Sequence, residues 1–205
     1  MRTKLIPLGL VASLSMCAAG CGNVHQGPSS SLVRIMALEA ASGAKPDKFS
    51  GLLLSDVVTM VKVNSVNVPT VFNDTGQVTV AASLKDIGAP GATSAPSELN
   101  SVTFSNFRVR YHRTDGRNVE GVDVPYSFDS ALTFTVAGNG TAKAVFELVR
   151  HTAKEEAPLR ALQTSGAIIN AIADVTFYGK DQAGRNVEVT GSLAINFGDF
   201  ADPTS

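Results

Sequence analysis

The sequence predicts an all-β fold, a two-layer β-sandwich of about nine strands with one short crossover helix. Three observations predict it. Beyond residue 32, apolar and polar residues alternate with period two over most of the chain, the pattern of strands with one face buried. Clusters of Gly, Asn and Asp punctuate these runs, and helical periodicity is nearly absent. Both cysteines, Cys17 and Cys21, precede the alternating region, so the domain must be held by packing rather than disulfides.

Strands are expected at 33–41, 57–63 and 66–72, and then at 77–85, where Val78, Val80, Ala82 and Leu84 share one face. Between 101 and 113 the phase changes, with Val102 and Phe104 on one parity and Phe107, Val109 and Tyr111 on the other. A one-residue slip turns side chains to the opposite face, so a bulge or a change of sheet is expected near Ser105-Asn106. Leu132, Phe134 and Val136 lead through Gly138-Asn139-Gly140 to Ala142, Ala144, Phe146 and Leu148. That turn chemistry supplies positive φ angles and predicts a hairpin. Strands follow at 168–178 and 187–197, the second with Val187, Val189, Leu193, Ile195 and Phe197 on one face. Gly191 interrupts that face and marks a bulge or a close backbone approach. The one helical segment, 153–163, carries Leu159 and Leu162 and is limited by Pro158, since proline suits only a first turn. Residues 42–56 and 86–100 read as irregular, the latter long for a structureless loop.

The chain begins with Arg2 and Lys4, an apolar run from Leu5 to Met16, and then Ala18-Ala19-Gly20-Cys21. A run of about twelve apolar residues is a secretory signal in form and too short to span a bilayer. The segment resembles a bacterial lipoprotein signal, cut before a cysteine that then carries lipid. Cys17 competes for that role, but Met16 stands where a small residue is required, and the resemblance therefore assigns lipid attachment to Cys21. Ala18 departs from the Leu or Val commoner at its position. On this reading residues 1–20 are the signal, 21–31 the lipidated cysteine and a flexible tether, and 32–205 a single domain. Ten coil residues set that domain roughly 15–20 Å from the lipid. With no Asp directly after Cys21, the resemblance implies the outer membrane as destination where the organism has one.

Removal of Arg2 and Lys4 takes the formal charge from −1 to −3, which gives no electrostatic reason to bind nucleic acid. No nucleophile elbow, phosphate loop or dinucleotide fingerprint occurs. His25 lies in the tether, which leaves His112 and His151 as candidate bases, and both read first as polar strand positions. Zinc would need three or four Cys or His ligands, which the mature chain, with Cys21 lipidated and His25 in the tether, cannot easily provide, and no cofactor is expected. Asp181, Asp199 and Asp202 are turn or loop carboxylates of the kind calcium uses, although solvated turn residues are the simpler account.

Two features are candidates for binding. Arg108, Arg110 and His112 at period two project from one strand face, although the plain reading is a charged face that keeps the sheet soluble. Tyr126, in Val124-Pro125-Tyr126-Ser127-Phe128, is expected in a loop as a stacking platform for a glycan. An enzymatic rival is a glycan hydrolase built on Asp123, Asp129 or Glu147, which requires two carboxyls about 5–9 Å apart across a cleft.

Gly116-Arg117-Asn118-Val119-Glu120 recurs as Gly184-Arg185-Asn186-Val187-Glu188, each after an aromatic strand and an Asp. The second copy, with Asp181 ahead of it, resembles the hairpin that closes many bacterial immunoglobulin-like and fibronectin-type-III-like domains. The Trp and paired cysteines of antibody-type domains are absent. The mature chain is similar to exported lipoproteins, which implies a non-catalytic binding or structural module of the cell envelope, with membrane lipid and an envelope protein or glycan as partners.

Overall fold

The computed structural model describes residues 29–86, 88–89, 91–93 and 95–200. Cys21 and Asp202 lie outside them. The fold is mostly β, with two principal sheets over a shared core. The first sheet has the order β1 (Ser31–Ala41), β5 (Asp74–Leu84), β10 (Thr141–Val149), all antiparallel. The second is curled into a half-barrel and has the order β2 (Leu52–Asp56), β12 (Asn186–Gly198), β11 (Ile169–Asp181), β8 (Val102–His112), β9 (Phe128–Val136). Only β2 runs parallel to its neighbour, β12, within this sheet. Between β2 and β5 a separate two-stranded arm is formed by β3 (Thr59–Val63) and β4 (Val66–Thr70). A small pair, β6 (Gly88–Ala89) and β7 (Ala92–Thr93), lies in the 85–101 connection.

The alternation works as expected. Val78, Val80 and Ala82 of β5 are buried against Val109, Val175, Phe177, Leu193 and Ile195 of the opposing sheet. Phe104, Phe107, Phe134, Phe146 and Phe177 meet in the middle with centroids 4.9–6.4 Å apart, mostly edge to face, the arrangement the ring quadrupoles favour. The expected bulge is real: β8 slips register at Ser105, between Phe104 and Asn106, against β9 and also against β11, where Gly179 and Tyr178 face Phe104 and Asn106. Gly191 pairs regularly with Val175 and is a close approach, because a Cβ there would stand 2.8 Å from the Ile35 side chain.

Several expectations need correction. The Gly138-Asn139-Gly140 turn forms, with Asn139 at φ 63°, but it joins β9 to β10 across the two sheets instead of closing a hairpin. Both strands face the core from opposite layers, and alternation beside a tight turn is satisfied equally by either arrangement. The helix is split into α1 (His151–Lys154) and a 3-10 turn, Leu159–Gln163, with a cis bond at Ala157-Pro158; Leu159 and Leu162 are buried as expected. Residues 52–56 are a strand, not a loop. Packing also starts before the expected end of the tether, since Ser29 and Ser31 are buried.

The repeat is local in structure as well. Its second copy closes the β11–β12 hairpin, with Asp181 accepting the N–H groups of Ala183 and Arg185 and pairing with the Arg185 guanidinium. The first copy opens the long connection 113–127. There Asp115 is shared by Arg113 and Arg117, and Asn118 Oδ1 takes the Arg113 N–H.

Candidate functional site

The strand registers give the sandwich two distinct ends. At the entry end Ser31 begins β1 beside the end of β5 and the 181–186 turn. Ser30 Oγ accepts from Arg185 and Asn100 there, and Ser31 Oγ donates to the Asn100 carbonyl. Apart from the 85–101 connection, that end is closed by the short turns 137–140 and 182–185. The far end, about 40 Å away at 3.3 Å per strand residue, gathers the 42–51 loop, the β3–β4 arm, the 113–127 loop and the 150–168 crossover.

Two depressions open there. A groove of about 360 Å³ runs between the 42–50 loop and edge strand β2, with Leu52, Leu54, Ala44 and Phe200 as its apolar surface and Lys45 and Lys48 beside it. A cleft of about 150 Å³ lies among Pro125, Tyr126, Phe128, Arg150, Thr152 and Glu156. Tyr126 is 57% exposed, in a loop as expected, and the Arg150 guanidinium lies 3.9 Å above the Phe128 ring. The larger groove is within the size range of small-ligand sites, and the Tyr126 cleft falls below it.

Beneath this end lies a buried polar knot that the sequence did not single out. The Lys154 ammonium, 1% exposed, pairs with Asp74 at 2.8 Å and donates to the Asp56 carbonyl at 2.8 Å. Asp74 is fully buried and also accepts the Gly43 N–H and the Ser55 hydroxyl. Burial pushes its carboxyl above the ordinary aspartate range, against the pull of Lys154 and these donors. Asp56 takes the Thr59 hydroxyl and the Phe200 N–H, and Gln163 reaches the Lys154 and Val57 carbonyls. Among the described residues every buried side-chain nitrogen and oxygen has a partner. Asp74 reads in sequence as a turn residue, and Lys154, beside Glu155 and Glu156, reads as solvated.

Arg108, Arg110 and His112 share the outer face of β8. Carboxylates stand among them: Arg108 forms a two-pronged pair with Asp129 at 2.8 Å, and His112 lies 3.2 Å from Asp174, the register partner of Arg110. The hydrogen-bonded pair raises Arg108 and lowers Asp129. The face is therefore a lattice of alternating signs instead of a cationic stripe.

The carboxylates of the enzymatic rival are engaged separately, Asp129 with Arg108, Glu147 with Arg150 at 3.3 Å and Asp123 with the Val119 N–H, and none lines either depression. His151 caps the 150–168 crossover, hydrogen-bonded to Asn73 Oδ1 through its N–H and its ring. Asp181 is buried in its turn, and Asp199 is exposed. Among the described residues no three His, Cys, Asp or Glu side chains group closely enough for a metal ion. No described helix is long and apolar enough to cross a membrane. Compared with known proteins, the chain matches no family model and no curated protein.

Proposed function

We propose that the protein is a cell-envelope lipoprotein, anchored through acylated Cys21, whose domain is a non-catalytic binding or structural module working through its far end. The observation that carries this reading is the asymmetry between the two ends. The chain enters at one end, beside the 85–101 connection and two short turns, whereas three long connections, the arm and the two depressions found among the described residues lie at the other. A domain held by lipid at residue 21 turns its entry end toward the membrane and offers the far end to the envelope. Loops positioned by a rigid scaffold are where binding residues concentrate.

The strand order supports an immunoglobulin-like sandwich within this proposal. Lettered along the chain, β1-β5-β10 reads A-B-E and β12-β11-β8-β9 reads G-F-C-C′, the neighbour relations of that class. The resemblance of Ala18-Ala19-Gly20-Cys21 to a lipoprotein signal, with Gly22 following, supports an outer-membrane destination where that membrane exists.

The test is crosslinking in cells with the anchor intact, followed by identification of captured envelope components. Capture is expected to fall when far-end residues are changed and to persist when the 182–185 turn is changed. Recovery of no partner, or capture indifferent to the far end, overturns the reading. Mass spectrometry of the mature N-terminus tests the anchor separately, with an acylated Cys21 expected. A carbohydrate-binding reading is favoured by the exposed Tyr126 ring beside Phe128 and Arg150, and a glycan array with Tyr126→Ala as control decides it.

A further inference from the structure

Lys154 and Asp74 are a primary amine and a carboxyl group sealed from water, with side-chain exposures of 1% and 0% and Nζ 2.8 Å from Oδ1. They come from distant parts of the chain, 80 residues apart, Asp74 from the start of β5 and Lys154 from the crossover after β10. The two other contacts of the carboxyl are donors on separate oxygens: the Gly43 N–H reaches Oδ1 at 2.9 Å and the Ser55 hydroxyl reaches Oδ2. Nζ is oriented further by its bond to the Asp56 carbonyl.

In water the ionised pair is the unreactive form, because an ammonium has no lone pair and a carboxylate repels a nucleophile. Buried surroundings disfavour charge, and the neutral amine and neutral acid differ from the ion pair only by a proton moving along one 2.8 Å hydrogen bond. Burial favours protonated Asp74 in the same sense. Fixing both reactants in contact removes the entropic cost of bringing them together, the effect that raises intramolecular rates most.

We propose that Lys154 and Asp74 condense to form an intramolecular isopeptide bond. The Nζ lone pair attacks Asp74 Cγ and forms the N–C bond. Negative charge on the tetrahedral adduct develops on Oδ2 and is met by the Ser55 O–H, while the Gly43 N–H steadies the departing Oδ1; both donors are set at the carboxyl oxygens before the reaction. The Cγ–Oδ1 bond then breaks, and Oδ1 leaves as water carrying the acid proton and one proton from nitrogen. One water is lost, nothing is oxidised or reduced, and no other reactant is needed. The product links β5 to the crossover in a region that, from residue 22 onward, contains no cysteine.

The test is a tryptic digest of the full-length protein after complete denaturation, read by mass spectrometry. The expected product is a branched species joining 63–85 to 151–160, lighter than the two peptides together by one water and uncleaved after Lys154. Separate linear peptides 63–85, 151–154 and 155–160 overturn the proposal and leave a plain ion pair. Asp74→Asn provides a second chemical check, since condensation then releases ammonia and gives the same branched mass. Asp74→Ala gives only linear peptides, and the wild-type digest stands by itself if that variant does not fold.

Discussion

At the entry end, Asp181 organises a turn from its sequence neighbours; at the far end, Asp74 gathers partners from across the fold. Asp181 serves a turn, accepting N–H groups within four residues of itself and pairing with a half-exposed Arg185. Asp74 serves tertiary structure, joined to Ser55, Gly43 and Lys154 from three other segments. The difference teaches where each end obtains its rigidity. Local carboxylate turns form from sequence neighbours, whereas the long far-end segments are tied down by a buried knot that exists only once the fold is complete.

The largest expected effect follows from breaking that knot on one side. Asp74→Ala or Lys154→Met leaves an unanswered buried charge, and even for the ion pair by itself the cost is about 3–5 kcal/mol. Denaturant unfolding checks this. The double change to apolar residues is expected to cost less than the sum of the two singles, because it buries no lone charge. Equal, additive losses mean that the two groups do not act as a pair.

At the entry end, Asp181→Ala removes several hydrogen bonds to one charged group, and about 3 kcal/mol is expected. The pH dependence of that term has a definite sign. Burial opposes ionisation of Asp181, but the Arg185 N–H, the Ser29 hydroxyl and the Arg185 guanidinium outweigh it and hold the carboxyl below its ordinary 3.8. The folded state therefore binds its proton less readily than the unfolded chain. This stabilisation is fully present above pH 3.8 and is lost as the pH falls through the lower folded value. Asp181→Asn should accordingly flatten the acid limb of the stability profile. An unchanged limb would place the acid sensitivity elsewhere.

Between the two ends, Gly191 probes the packing of one sheet on the other. Gly191→Val forces Ile35, 2.8 Å from the new Cβ, and Leu38 to move, with an expected cost of about 1–3 kcal/mol. Since neither polar system is touched, the pH profile should keep its shape.

What could be read beforehand follows the same division. Period-two alternation located Val78–Val80–Ala82 and Leu193–Ile195–Phe197 because one face meets the core at every second residue. The bulge was legible because a change of parity has no other cheap explanation. Strand β2 was not, because Leu52-Leu53-Leu54 does not alternate and its end buries Ser55 and Asp56. The Arg108, Arg110, His112 face was legible as geometry, but its charge balance depended on Asp129 and Asp174 of neighbouring strands. Partners across sheets and across long connections leave no local periodicity, which is why the knot and the β9–β10 crossing emerge only in three dimensions.

The smallest stability effect, and the sharpest functional one, is expected on the β3–β4 arm. Its register places Val61 opposite Val68 and Val63 opposite Val66, so four valines share one face; Val63 and Val66 are 50% and 63% exposed. A two-stranded ribbon gains little by itself in water, and these side chains bury too little to stabilise the body of the domain. Val63→Thr and Val66→Thr keep β-branching and are expected to change stability by less than about 0.5 kcal/mol. If the far end is the working end, the same pair of changes reduces capture of the envelope partner severalfold in crosslinked cells. Undiminished capture would move the interface off the arm and onto the groove beside β2, where Leu52→Ser and Leu54→Ser repeat the measurement on the other half of that end.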